Sequence, residues 1–271
     1  MERVKPSQRF MSELRFKHYD PVEHARMKAD SSNQVLGDLE GYDCQKCLNR
    51  GYITVPRNDG GIIIQDCDCK MIRRCIREME KSGLSNAFQK QTFGLFDTAE
   101  EWQKRIKQGA MAYAEKPEGW LLFCGQPGSG KSHLCTAVCK KLLEEDRRET
   151  LYKTWRELSP LKNFSMDSQE REDKIGKLKC VPVLYLDDLF KTGKAPDGSC
   201  NPTRADVDLA FDILNARYVN QLPTIISTER TPDELIEIDE ALGGRILERA
   251  EKHTYAIRPD QRKDYRLRGM L

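Results

Sequence analysis

From Trp120 onward, short apolar runs alternate with segments whose apolar residues recur every three or four positions. WLLFC (120–124), VLYL (183–186) and TIIST (224–228) are too short for helices and read as buried strands. The pattern predicts strand 120–124, helix 131–146, strand 150–155, strand 181–186, helix 205–219, strand 224–228, helices 232–238 and 242–250, and strand 253–258. Such alternation marks a parallel sheet covered by helices, an α/β fold. Upstream the pattern changes. Residues 1–40 are polar with sparse apolar positions; Ser7–Tyr19 has helical spacing, while Pro21 and the run 30–33 predict a broken segment. Residues 51–55 and 61–65 read as two strands joined through Asn58-Asp59-Gly60-Gly61. Residues 71–115 read mostly as helix with a break at 81–83. The stretches 165–179 and 191–204 read as polar surface excursions. The expected division is an N-terminal region 1–75 holding a small module at about 41–70, a helical linker 76–115, and an α/β domain 116–271.

Length and composition narrow the class. The 271 residues carry 45 basic and 43 acidic side chains, a net charge of +2. That balance excludes a polybasic protein, though a local basic patch can still act. No apolar run approaches the ~18 residues of a membrane span, and MERVKPSQRF has no apolar signal core. Six of the ten cysteines are scattered, most in apolar context, the usage of buried thiols in a reducing compartment. A cytoplasmic protein without a membrane role is expected.

The string GQPGSGKS, Gly125-Gln126-Pro127-Gly128-Ser129-Gly130-Lys131-Ser132, fits G-x-x-x-x-G-K-[ST] between a strand and a helix. Glycines let backbone N–H groups approach phosphates, and the following helix N-terminus adds partial positive charge. Lys131 is expected to reach the outer phosphates of ATP or ADP, and Ser132 to hold magnesium. His133 ends the run; it has no evident catalytic partner. Val183–Leu186 then delivers Asp187 and Asp188 to a strand end, the edge where open α/β sheets bind ligands. Asp187 is expected in the magnesium shell and Asp188 beside the attacking water. The strand 224–228 ends in Thr228 and Glu229, one of which could touch the γ-phosphate. Thr231-Pro232-Asp233-Glu234 is a helix start. Arg245, after two glycines, is expected on an exposed turn.

Cys44-x-x-Cys47 and Cys67-x-Cys69 flank the hairpin, nineteen residues apart. A unit this small buries little core, and four thiolates at this spacing suit tetrahedral zinc in a structural role. The second pair is C-x-C where C-x-x-C is usual, so Cys75, His18 or His24 could replace a ligand. A redox pair or free thiols are the alternatives.

The order of these pieces resembles the AAA+ ATPases, and within them the DnaC/DnaI helicase-loader group with its transposition relative IstB. The resembling strings are GQPGSGKSHL (125–134), LDDL (186–189), TIISTE (224–229), GRIL (244–247) and DYRLR (264–268), within residues 84–271. The resemblance implies ATP turnover in head-to-tail homo-oligomers. It implies Arg245 as a finger acting across the subunit boundary and Arg266 as a second sensor. It puts the first sensor at the TIISTE strand end, where many relatives carry Asn and this chain has Thr228 and Glu229. DnaI-type loaders also carry an N-terminal zinc domain that grips the replicative helicase. The implied function is to place the hexameric replicative DNA helicase on single-stranded DNA and release it on hydrolysis. An IstB-like ATPase assisting a transposase at target DNA is the alternative; a P-loop small-molecule kinase fits the paired acids less well.

Candidate nucleic-acid surfaces are Lys70, Arg73, Arg74 and Arg77 on one helix face, the run Arg258, Arg262, Lys263, Arg266 and Arg268, and Lys191, Lys194 and Arg204 around the loop after the acid pair.

Overall fold

A computed structural model describes residues 20–84, 88, 90–162, 168–191 and 201–267. The segment Ser7–Tyr19, His18, Lys194, Cys200 and Arg268 lie outside the described residues. The chain divides into two units, Met1–Lys70 and Met71–Leu271.

In the first unit, α1 (Pro21–Asn33) forms where a broken segment was expected. Asp20 caps it, accepting from the Val22 and Glu23 amides, and Pro21 takes the first helical position, where its missing N–H costs nothing. Only Ala25 and Ala29 are buried on it. The helix is held by a polar clamp instead: Asn33 donates to the Thr54 carbonyl (2.8 Å) and accepts from the Thr54 amide (2.9 Å). Thr54 lies on β1 (Tyr52–Pro56), antiparallel to β2 (Ile62–Asp66) with Val55 opposite Ile63. Every residue of β2 is exposed, Ile64 at 71%. The hairpin therefore has no apolar core of its own.

The second unit is built the other way. Among the described residues it carries α2 (Cys69–Met79), which begins at the boundary, then α3 (Glu101–Glu115), β3 (Trp120–Gly125), α4 (Lys131–Glu144), β4 (Thr150–Thr154), α5 (Ser168–Cys180), β5 (Val183–Asp187), α6 (Arg204–Val219), β6 (Thr224–Ser227), α7 (Pro232–Ile238), α8 (Glu240–Arg249) and β7 (Thr254–Ile257). The strands form one parallel sheet in the order β4-β5-β6-β3-β7. Burial of β3, β5 and β6 is continuous, as the apolar runs required. Strand alternation sorts the residues. Leu122, Cys124, Leu184, Leu186 and Ile226 pack into the main core with Ile213 and Leu214 of α6 and Ile246 of α8. Tyr152, Tyr185, Asp187 and Ser227 fall on the opposite face. Each fully buried Leu or Ile contributes about 1.5–3 kcal/mol.

Two buried polar devices pin this core. Arg217 is fully buried and donates to the Leu178, Val181 and Pro223 carbonyls and to Thr224 Oγ1, tying down the starts of β5 and β6. Asp206, also fully buried, accepts from Lys162, Trp155 and Thr203. Burial alone would raise the Asp206 pKa, but the Lys162 and Thr203 hydrogen bonds outweigh it and hold it below its usual value.

Several expectations are corrected. The polar stretch 165–179 is largely helical as α5; its inward face is only Ile175 and Leu178, too thin a stripe to read from sequence. Residues 91–100 are not helical. Arg245 lies inside α8, not on an exposed turn. The α2 basic residues do not share one solvated face: Arg73 is buried, Arg74 pairs with Glu149, and Lys70 pairs with Asp66.

Candidate functional site

The phosphate loop joins β3 to α4. Gly125 has φ +94°, and a Cβ there would lie 2.2 Å from the Ile257 carbonyl oxygen, so the strand can leave the sheet only with glycine at this point. Gly128 has φ +68° and abuts the Asp264 carboxylate. The Lys131 ammonium is buried and donates to the Gly125 (2.8 Å) and Gln126 (2.7 Å) carbonyls. Burial pulls its pKa down, and the Glu229 and Asp188 carboxylates are the largest charges opposing that. Ser129 donates to the Gln126 carbonyl. Gln126 accepts from the Asp260 amide, and Pro127 is exposed. His133 is turned away from catalysis, its Nε2 2.8 Å from the Thr92 carbonyl oxygen and its ring edge-on to Phe96.

Sheet register brings the second half of the site to the loop. Asp187 ends β5 and accepts from Ser132 Oγ at 2.9 Å, Tyr185 Oη at 2.7 Å, Tyr152 Oη at 3.0 Å and Ser227 Oγ. Four hydroxyls thus fix one carboxylate. Pairing Tyr152 with Tyr185 and Thr154 with Asp187 across β4 and β5 places the two phenols side by side. Burial, then the Asp187 charge, raises both phenol pKa values, so both hydroxyls remain donors. The sequence reading missed Tyr152, Tyr185 and Ser227. Tyr185 was legible, two residues from Asp187 on one strand face; the others needed the register.

Asp188 follows in the left-handed region (φ +56°), its amide donating to Ser227 Oγ. Its Oδ2 lies 3.0 Å from Lys191 Nζ, which also reaches Glu229 Oε1 at 2.8 Å. Lys191, a candidate for nucleic-acid contact, is thus engaged with the two acids at the strand ends. Arg204 pairs with Asp208. Thr228 is fully buried; its hydroxyl donates to the Leu189 carbonyl and accepts from the Arg230 amide. It closes the strand end rather than facing the loop.

The C-terminal segment lies over the phosphate loop. The Tyr265 amide donates to the Gly128 carbonyl (3.0 Å), and Gln103 Nε2 donates to Tyr265 Oη. Arg266 is exposed beside it, its amide donating to Asp264. Arg262 pairs with Asp260, and Lys263 sits over the Trp102 ring. Arg245 is not assembled with these groups: it donates to the Ala241 carbonyl and stacks on Phe211 and Tyr218.

In the first unit Cys44, Cys47, Cys67 and Cys69 converge, with all four Sγ atoms within 4.8 Å of one another. Cys44–Cys67 and Cys47–Cys69 are 3.7 and 3.5 Å apart. A tetrahedron with Zn–S of about 2.3 Å has edges of about 3.8 Å, so the cluster fits zinc. Leu48 and Asn49 take left-handed φ, and this turn aims the Gly51 amide at Cys47 Sγ (3.3 Å). Burial alone would raise the Cys47 thiol; the Gly51 amide and neighbouring thiols outweigh it and bring its pKa down to about 7. Cys75 is not in the cluster and meets Met71.

A five-stranded parallel sheet with a phosphate loop and an acid pair at one edge is the AAA+ type of P-loop ATPase fold. The replication initiator DnaA bound to AMPPCP and single-stranded DNA superposes over 66% of this chain and 55% of its own, with a TM-score of 0.51 at 18% identity. No family model matches the chain. Among curated relatives, the uncharacterized protein YqaM of Bacillus subtilis is 32% identical over 73% of this chain, which spans 64% of YqaM's length. The phage-like element PBSX protein XkdC of Bacillus subtilis is 29% identical over 88% of this chain and 91% of its own. The replicative helicase loader DnaI of Bacillus subtilis is 24% identical over 78% of this chain and 71% of its own. The chain is also similar to the replicative helicase loader DnaC of Escherichia coli, 24% identical over 64% of this chain, and to the chromosomal replication initiator DnaA of Streptococcus thermophilus, 27% identical over 58% of it. Among the described residues no helix is long and apolar enough to cross a membrane.

Proposed function

We propose that this chain is an ATPase that places the hexameric replicative DNA helicase on single-stranded DNA and leaves it on hydrolysis. The observation that carries the ATPase half is the Ser132–Asp187 hydrogen bond. It joins the phosphate loop to the strand-end acid, the two groups that would hold magnesium between them. The relation to DnaC and DnaI supports the loader half.

In this reading the Gly125–Ser132 amides cradle the phosphates, and Lys131 leaves its loop carbonyls for the outer phosphates. Ser132 and Asp187 would hold magnesium, which would supply charge neutralisation at the transferring phosphoryl group. Tyr152, Tyr185 and Ser227 keep Asp187 aimed at it. Asp188 orients the attacking water and accepts its proton. Arg266 acts from the segment over the loop. Arg245, held out on α8 by Phe211 and Tyr218, serves the nucleotide of the neighbouring subunit in an oligomer. Zinc on the four thiolates holds the first unit together, and the exposed Tyr52, Ile62, Ile63 and Ile64 offer the helicase an apolar contact.

The test is magnesium-dependent ATP turnover and binding. Lys131→Ala abolishes nucleotide binding, while Arg245→Ala keeps binding and loses turnover by about 10³-fold or more. Unchanged ATP affinity in Lys131→Ala refutes the site. Unchanged turnover in Arg245→Ala, measured in the oligomer, removes the finger.

A further inference from the structure

The strand end where a γ-phosphate contact was expected offers none. The Thr228 hydroxyl is spent on backbone groups, and Glu229 has the wrong charge for a phosphate. What Glu229 does hold is a cation: Lys191 Nζ, at 2.8 Å, shared with Asp188 at 3.0 Å. We propose that Lys191 reads the γ-phosphate of bound nucleoside triphosphate, exchanging its pairs with Asp188 and Glu229 for the phosphate and thereby freeing Asp188. This rests on the nucleotide-site reading above.

Three observations carry it. First, Asp188 is tied to the phosphate loop: its amide donates to Ser227 Oγ, which donates to Asp187, the acid that accepts from Ser132, and Glu229 and Asp188 are the two largest charges acting on the Lys131 ammonium. Second, the turn presenting Lys191 is fixed. Asp188 and Phe190 both take left-handed φ (+56° and +63°), which non-glycine residues adopt only when packing demands it. Phe190 is buried edge-on against Trp155, and the Lys191 amide donates to the Asp188 carbonyl. Third, the pairs are exchangeable. Lys191 is 40% exposed and its two acids 36% each, and ion pairs so exposed are weak. A phosphate with more than one charge outcompetes them. Burial by itself would lower the Lys191 pKa, but the two carboxylates raise it on balance, so the side chain stays cationic. The exchange releases the Asp188 carboxylate from its ion pair in the same event that engages the phosphate.

The experiment titrates the full-length protein, with magnesium, against fluorescent ADP and a fluorescent non-hydrolysable ATP analogue. Lys191→Met weakens the triphosphate by about tenfold, the worth of one charge-assisted contact. It leaves ADP within about twofold, and Lys191→Arg restores most of the loss. Asp188→Asn tightens triphosphate binding by releasing Lys191, and that gain shrinks in the Lys191→Met background; simple repulsion between Asp188 and phosphate would leave it unchanged. Equal losses for both nucleotides in Lys191→Met, or no loss, overturn the proposal while leaving the nucleotide site intact. A wild-type chain that binds neither nucleotide refutes the site itself.

Discussion

The two units reach a fixed structure by opposite means. The second buries a sheet whose strands β3, β5 and β6 are buried from end to end, with Arg217 and Asp206 held in the core by hydrogen-bond networks. Among its described residues the first leaves Ile62, Ile63 and Ile64 in solvent and buries little besides four thiols, two alanines and Thr54. One unit is held by area removed from water; for the other, the proposed zinc would supply what its described hairpin and helix lack in buried core. The apolar residues the first unit does not bury are then free to face something else.

The sharpest way to break this contrast is to remove the metal. Structural zinc contributes an apparent ~10–16 kcal/mol in small domains. Chelation, or Cys47→Ser, therefore unfolds the first unit while the second keeps its own thermal transition. A single shared transition, shifted as one, contradicts the division. Next in size is Asp206→Ala in the second unit. It strands the Lys162 ammonium and is expected to cost about 3–5 kcal/mol, read by urea unfolding. The folded pKa of Asp206 lies below its unfolded value, so its contribution is present above the unfolded value of 3.8 and is lost as pH falls through the lower folded one. The destabilisation by Asp206→Ala should thus shrink below about pH 3.8. The smallest effect belongs to Lys46→Ala. Its pair with Asp68 is about half exposed on both sides, and its loss should change stability by under about 1 kcal/mol. A larger loss would mean the first unit leans on surface charge as well as thiolates.

How far the sequence could be read also differs between the units. In the second, β3, β5 and β6 announced themselves because buried parallel strands are mostly apolar, and the loop and acid pair were legible because phosphate chemistry dictates their spacing. Two neighbours of Asp187 were not, since Tyr152 and Ser227 reach it only through register between strands far apart in the chain. α5 was hidden by its polar outer face. Asp264 against Gly128 depends on how the C-terminal segment returns to the loop, which no local pattern encodes. In the first unit the cysteines were the signal. α1 was missed because Pro21 reads as a breaker until Asp20 is seen capping it, and because an Asn33–Thr54 clamp replaces the apolar stripe that would have marked a helix.

The central claim, a metal-held unit that docks a partner beside a unit that turns over nucleotide, is tested most directly by co-migration of the full-length protein with the cognate hexameric replicative helicase. The comparison is wild type against Ile63→Asp/Ile64→Asp, with ATP and magnesium present and zinc content and ATP binding checked in both. The account predicts a complex with wild type that is lost in the variant, while the variant keeps its zinc and its nucleotide affinity. A complex that survives the two charges contradicts docking through the hairpin, and no complex with the wild-type chain contradicts the loader.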